Sequence, residues 1–279
     1  MIFFSKLAIS IESKGVLVLT KLLYLTMKLL TGVFGLIWKF YIAIIFAFFA
    51  ILLYPFFFVV LFRPQWKKFS FYLFIFWSWM MRIFCFYHVK TIENHELPDG
   101  PYVIIANHTS YLDIFFMYSI LPKHPFVFLG KSEILTYPII STYFKNLNIP
   151  VYRGDKSKAG RSYTLASKAV AEGWSLVIFP EGGIPDHQCP KMIPFKDGAF
   201  KLAKALNVPI VPLTFTNNYK LFSDPSEILG PASPGVARLY INKPISIMQI
   251  QEMEVSELRN LSFELVNAPI LKEHPHLKD

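Results

Sequence analysis

Hydrophobic positions run almost without a break from residue 15 to residue 87, then from 88 to 279 fall into short runs separated by polar, turn-forming stretches. The change lies in YHVKTIENHELPDG. In the first part, VFGLIWKFYIAIIFAFFAILLYPFFFVVLF (residues 33–62) exceeds the roughly 20 apolar residues that cross a bilayer and holds one lysine, Lys39, near its start. It predicts a membrane helix. Its length, aromatic content and internal Pro55 set it apart from a cleaved signal segment, so it is expected to stay in the mature protein. The next run, FSFYLFIFWSWMMRIFCFY (69–87), carries Arg82 and interface-type aromatics, and is expected to span or to lie flat.

The linker RPQWKK chooses between those readings. Two full spans would put Arg63, Lys67 and Lys68 on the side opposite the globular part, against the positive-inside tendency. A hairpin dipping into one leaflet avoids the conflict. Upstream, Lys14, Lys21 and Lys28 recur every seven residues among leucines and valines, a cationic stripe suited to an interfacial helix. The alternative, a first spanning helix with its lysines packed inside, carries the cost of buried charge.

The second part alternates strand and helix patterns. YVIIAN, PFVFLG, NIPVYR, SLVIFPEGG and VPIVPLTF read as strands; YLDIFFMYSIL, RSYTLASKAVAEG and GAFKLAKALN read as helices. Short, continuously apolar strands between helical segments predict an α/β fold, a largely buried sheet flanked by helices and preceded by an N-terminal membrane-embedded helical region. The expected divisions are membrane-associated helices over 1–87, a catalytic domain over 88–250, and a C-terminal helix and polar tail over 251–279 that includes His274 and His276 as solvated side chains. The stretch from 88 onward, about 190 residues, is long enough for a single core.

Composition supports this division. With 53% hydrophobic and 17% aromatic residues among 279, the chain is too apolar for an ordinary soluble domain and too charged to lie wholly in lipid. The formal charge of +9 suits nucleic acid or an anionic membrane surface, and the adjoining apolar segment favours the membrane. Two cysteines, Cys85 and Cys189, make no disulfide framework and fit a reducing compartment.

Candidate chemistry appears where strands end. VIIANHTSYLDIFF turns from buried aliphatics to His108, with Asp113 five residues on, in the first turns of a helix. An imidazole whose far nitrogen faces a carboxylate is a general base; a lone His and Asp at this spacing also fit a helix cap and a surface ion pair. SLVIFPEGG ends a second strand in glycines that let backbone N–H groups approach an anion, and equally fits a plain β-turn. DHQC (186–189) lacks a second ligand cluster at zinc spacing, so no metal is expected. No Walker loop, dinucleotide fingerprint or G-x-S-x-G elbow occurs, and no cofactor is expected.

Taken together and in order, NHTSYLD, GKSEILTYPIISTYFKNLNIPVYRGD, FPEGG and VPIVPLTF resemble the four blocks of the glycerolipid acyltransferase family, whose archetype is lysophosphatidic acid acyltransferase. The hallmark is N-H-x-x-x-x-D followed by F-P-E-G, and the resemblance covers about residues 88–217. It implies a mixed sheet of the glycerol-phosphate acyltransferase type. His108 would deprotonate an acceptor hydroxyl and Asp113 would orient it, so that the hydroxyl attacks an acyl thioester directly. Lys131 and Arg153 are implied to hold the acceptor's phosphate, and Asn107, Glu181 and Gly182 to shape the substrate site. The implied partners are acyl-CoA or acyl-carrier protein as donor, a lysolipid acceptor and the bilayer, with no nucleic acid. The implied location is the cell (inner) membrane, with the catalytic domain facing the cytoplasm.

The chain departs from the family at Gly183, Ile184 and Pro185, where F-P-E-G usually continues T-R-S, and at Ser141 and Leu147, where glycines are usual. Either Lys191 or Lys196 replaces the missing arginine, or the head group differs. The expected reaction is acylation of lysophosphatidic acid to phosphatidic acid. Alternatives are acylation of another lysolipid, such as a lyso-aminolipid, and, from a different class, a non-catalytic membrane-binding scaffold.

Overall fold

The computed structural model describes residues 2–61, 63–145, 147–152, 156–185 and 188–277, without the side chains of 2–18, 61, 64, 138, 139, 145 and 156–159. Two helices open the chain, α1 (Ile2–Leu61) and α2 (Lys67–Phe84), followed by β1 (Tyr87–Asn94), β2 (Val103–Ala106) and α3 (Leu112–Ile120). Then come β3 (Phe126–Lys131), α4 (Pro138–Lys145), β4 (Ile149–Val151), α5 (Lys156–Ala171) and β5 (Ser175–Ile178). The rest is α6 (Gly198–Leu206), β6 (Ile210–Phe215), α7 (Asn218–Leu221), β7 (Gly235–Ile241), α8 (Ile247–Glu252) and α9 (Val255–Glu273).

Seven strands form one sheet in the order β1-β7-β6-β2-β5-β3-β4. It is mixed: β6 and β7 run antiparallel, while β2 lies parallel between β5 and β6, with Ile104 opposite Val177 and Val211. VIIA of β2 and IVPLTF of β6 are buried at every position, as continuous apolar strands covered on both faces should be. Because β2, β3, β4, β5 and β6 point the same way, the residues after Ala106, Lys131, Val151, Ile178 and Phe215 gather at one edge of the sheet. A cavity of about 610 Å³, lined by Pro98, Asp99, Pro101, Val208 and Pro209, lies at the opposite edge, before β2 and β6 begin.

Helix α1 has two halves. Residues 19–31 are exposed on every side, with Lys21 and Lys28 among them; the Lys14 side chain lies outside the described residues. From Gly32 onward one face is buried through Gly35, Ile42, Phe49, Leu53, Phe57 and Val60, and joins the same core as the sheet. The apolar stretch Leu19–Val60 is the one candidate membrane span among the described residues. Its 42 residues measure about 63 Å, roughly twice a bilayer's hydrocarbon core.

Helix α2 turns back beside α1 and lies along the globular part. Lys67 Nζ stands 5.1 Å over the Trp174 ring, Phe71 packs edge-on against Phe126, and Ser78 Oγ donates to the Phe115 carbonyl. Its opposite face, Phe69, Tyr72, Phe76, Trp79 and Ile83, stays exposed. Arg82 is buried against Trp79 at 4.1 Å. The linker 63–66 thus returns to the domain that carries the sheet.

The C-terminal segment belongs to the core: Leu258, Val266 and Ile270 of α9 are buried, and Thr214 Oγ1 of β6 donates to the Val266 carbonyl. His274 is not solvated, contrary to the sequence expectation. It is buried, Nε2 lies 2.9 Å from the Thr216 carbonyl, and its ring meets Tyr219. The polar residues around it had made a sheltered position look like a tail.

Candidate active site

The end of β2 delivers His108 and the start of α3 delivers Asp113. His108 Nδ1 lies 3.1 Å from Asp113 Oδ2; the His108 side chain is 12% exposed and that of Asp113 0%. The same Oδ2 accepts from the N–H groups of Thr109 (2.8 Å) and Ser110 (2.9 Å), and Oδ1 from the Asn218 amide (2.7 Å). A carboxylate reaching back onto the turn before its own helix satisfies the buried N–H groups of that turn, which is why His-x-x-x-x-Asp closes into a rigid unit. With Asp113 on Nδ1, the carboxylate accepts the Nδ1–H hydrogen bond, which keeps the proton on Nδ1 and leaves Nε2 as the basic atom. Nε2 has no hydrogen-bond partner among the described residues.

Phe179, the first residue after β5 and its Ile178, stacks on the imidazole with centroids 4.1 Å apart and fixes the ring plane. Two residues on, Glu181 is almost fully buried. Its Oε1 accepts from the His108 N–H at 2.8 Å and its Oε2 from the Ile193 N–H at 3.0 Å. Burial pushes Glu181 up to about 7, against the pull of the Ile193 and His108 N–H groups and with a further push from Asp113. Both oxygens are therefore spent on backbone, tying the turn after β5 to the turn after β2. Gly182 follows at φ 83°, a conformation that glycine adopts at no steric cost, and its N–H closes the turn onto the Phe179 carbonyl at 2.9 Å.

The remaining sequence candidates are placed as follows. Asn107 is fully buried, and its amide both donates to and accepts from the Phe215 backbone at 2.8 and 2.9 Å, bracing β2 to β6 rather than facing a ligand. Lys131, exposed at the end of β3, puts Nζ 3.1 Å from where a Cβ on Gly183 would stand. Arg153 lies outside the described residues, as do Asp186 and His187 of the DHQC stretch; Cys189 is a free thiol. Lys191 and Lys196 are both exposed on the segment after the FPEGG turn.

Sequence reasoning missed Phe179, Ser110 and Asn218. Each follows a strand at the one sheet edge where the motifs converge, and that position was the available signal.

Residues 88–216 match a family model described as Acyltransferase. A chloroplastic 1-acyl-sn-glycerol-3-phosphate acyltransferase of Brassica napus is 31% identical over 189 residues, covering 67% of this chain and 53% of that protein. The 1-acyl-sn-glycerol-3-phosphate acyltransferase of Saccharomyces cerevisiae is 33% identical over 186 residues, covering 62% and 59%. The crystal structure of the 1-acyl-sn-glycerophosphate (LPA) acyltransferase from Thermotoga maritima shares the fold, with TM-score 0.70, 21% identity and coverage of 87% of this chain and 97% of that one. The acyltransferase match thus spans residues 88–216, a little under half of the chain, and the chain is similar to that family there. The chain spans little more than half the length of these curated relatives, 53% of the Brassica napus protein and 59% of the yeast one.

Proposed function

We propose that the chain is a membrane-bound 1-acylglycerol-3-phosphate O-acyltransferase that carries a fatty acyl group from acyl-CoA or acyl-carrier protein to the free hydroxyl of lysophosphatidic acid. The observation that carries this reading is the buried Asp113 on His108 Nδ1 at 3.1 Å, which leaves Nε2 as the base. His108 takes the proton as the hydroxyl oxygen attacks the thioester carbonyl, and Asp113 stabilises the imidazolium. The tetrahedral intermediate then expels the thiolate, which His108 protonates; no acyl-enzyme forms. Lys131 and Arg153 hold the acceptor phosphate, Lys131 as a point charge beside Gly183.

The names of the curated relatives support the substrate class, and the exposed apolar faces of α1 and α2 support residence in a membrane. The lysines of the linker and the overall charge of +9 favour an anionic, cytoplasmic face of the inner membrane. The exposed Lys131 over Gly183, where the family has Thr-Arg, keeps a lyso-aminolipid as the second acceptor to test.

Labelled acyl-CoA offered with lysophosphatidic acid or a lyso-aminolipid in detergent micelles decides between them. Labelled phosphatidic acid is the expected product. Transfer to the lyso-aminolipid alone would reassign the acceptor, and lipid binding without transfer from either donor would replace the enzyme by a membrane-binding scaffold.

A further inference from the structure

Asp113 is held by four donors, three of them inside its own motif. The fourth, Asn218, donates from 105 residues away and belongs to none of the four blocks. It is fully buried. A carboxylate only accepts, so the Asn218 NH2 must face Asp113. The Asn218 Oδ1 has no partner, which leaves Asp113 as the one group its side chain bonds among the described residues.

Asn218 rides on a strap, residues 216–234, that joins β6 to β7. One side of the strap meets the catalytic turn, where Ser110 Oγ donates to the Phe222 carbonyl at 2.6 Å. The other side is clamped to α1. Lys39 Nζ donates to Ser223 Oγ at 2.9 Å and to the carbonyls of Glu227 and Asp224 at 2.5 and 3.5 Å. Trp38 Nε1 donates to the Tyr87 hydroxyl at 3.3 Å, and that hydroxyl donates to the Leu221 carbonyl at 3.1 Å. At Gly35 the helix comes so close that a Cβ would stand 2.8 Å from the Gly230 carbonyl oxygen. A lysine within an apolar helix is costly unless its donors find acceptors, and Lys39 spends its donors on this strap.

We propose that Asn218 is a positioning residue of the acyl transfer and that Lys39, through the strap, holds Asn218 in place, so that docking of α1 sets the geometry of the His108–Asp113 pair. Occupying Oδ1 stops the carboxylate from turning and keeps Oδ2 on His108. The inference rests on His108 acting as base.

The test uses the full chain in micelles, with acyl-CoA and lysophosphatidic acid, as parent, Asn218→Ala, Asn218→Asp, Lys39→Met and the Asn218→Ala/Lys39→Met pair. Alongside, the pH dependence of His108 modification by diethyl pyrocarbonate, read by mass spectrometry, reports imidazole protonation without turnover. The titratable groups bonded to the His108 turn among the described residues are Asp113 and Glu181. Asn218→Ala is expected to lower kcat about 10- to 100-fold with KM within about threefold, since small misplacements near reacting groups cost about that much. Asn218→Asp, whose carboxyl at 2.7 Å would share one proton with the buried Asp113, is expected to keep the hydrogen bond and the His108 midpoint and to retain more kcat than Asn218→Ala. Lys39→Met, remote from the site, is expected to lower kcat about fivefold or more, and the double variant to fall no further than Asn218→Ala alone.

A kcat for Asn218→Ala within about twofold of the parent, or single losses that simply add in the pair, would overturn the proposal. A parent that does not turn over but whose His108 midpoint moves in both Asn218→Ala and Lys39→Met would retire the acyl-transfer reading and leave the positioning role standing; no movement would retire both.

Discussion

A fully buried carboxylate that accepts from Thr109, Ser110, Asn218 and His108 is an anchor before it is anything else. Asp113→Asn would put an NH2 against at least one of those donors and remove the charge that stabilises the imidazolium. We expect kcat to fall about 10³- to 10⁴-fold with KM little changed, as measured by steady-state transfer, by analogy with the loss of the orienting acid in serine hydrolases. Glu181 obeys a different rule. Its folded carboxyl titrates near 7 and its ordinary value is 4.5, so the folded state holds the proton more tightly than the unfolded chain. The stability this proton contributes is complete below about pH 4.5 and is lost as pH rises through about 7. Glu181→Gln, which cannot ionise, should therefore gain on the parent by up to about 3 kcal/mol between those pH values in denaturant unfolding. That gain sits on a pH-independent cost of about 1–3 kcal/mol for the N–H that loses its acceptor. A difference that does not change with pH would refute the assignment. His108 and Asp113 were legible in the sequence because their contact is local. Glu181 was legible as part of the site, but its bonds to His108 and Ile193 were not, since no spacing encodes a contact across two strands.

At the scale of elements, the five parallel strands were readable because a strand buried on both faces is a continuous apolar run. β1 and β7 were not. YHVKTIEN and GVARLYI carry exposed, partly charged positions, and what makes them strands is their parallel pairing with each other across the whole domain. The two N-terminal helices were legible as apolar segments and the linker charges already favoured a hairpin, whereas the face that α2 lays on the domain is given by the contacts of Lys67 with Trp174 and of Phe71 with Phe126. That arrangement has a direct consequence. Gln65 is exposed in the linker, so a cysteine placed there should react with an impermeant maleimide only from the side that holds the catalytic domain. Background labelling should be small, because Cys85 is buried and burial pushes the Cys189 thiol up to about 12. Reaction from the opposite side alone would make α2 a true span.

For the molecule as a whole, the proposed membrane residence rests on the 42-residue, mostly apolar stretch Leu19–Val60 of α1, the exposed aromatic face of α2 and a net charge of +9. On that proposal, two forces of different range hold the chain to lipid. Charge attraction fades as the screening length drops from about 10 Å at 0.1 M salt to about 3 Å at 1 M, while apolar insertion does not. Co-flotation with vesicles containing anionic lipid should therefore weaken with salt to a plateau rather than to zero. Release to zero at high salt would mean that α1 does not insert.

The central claim, that His108 is the base of an O-acyl transfer to a lysophospholipid, is tested most directly by single-turnover transfer of labelled acyl groups from acyl-CoA to lysophosphatidic acid, comparing the parent chain with His108→Ala in the same micelles. The account expects labelled phosphatidic acid from the parent and a loss of at least about 10³-fold in the variant, at an unchanged thermal midpoint. Equal rates in parent and variant would contradict it.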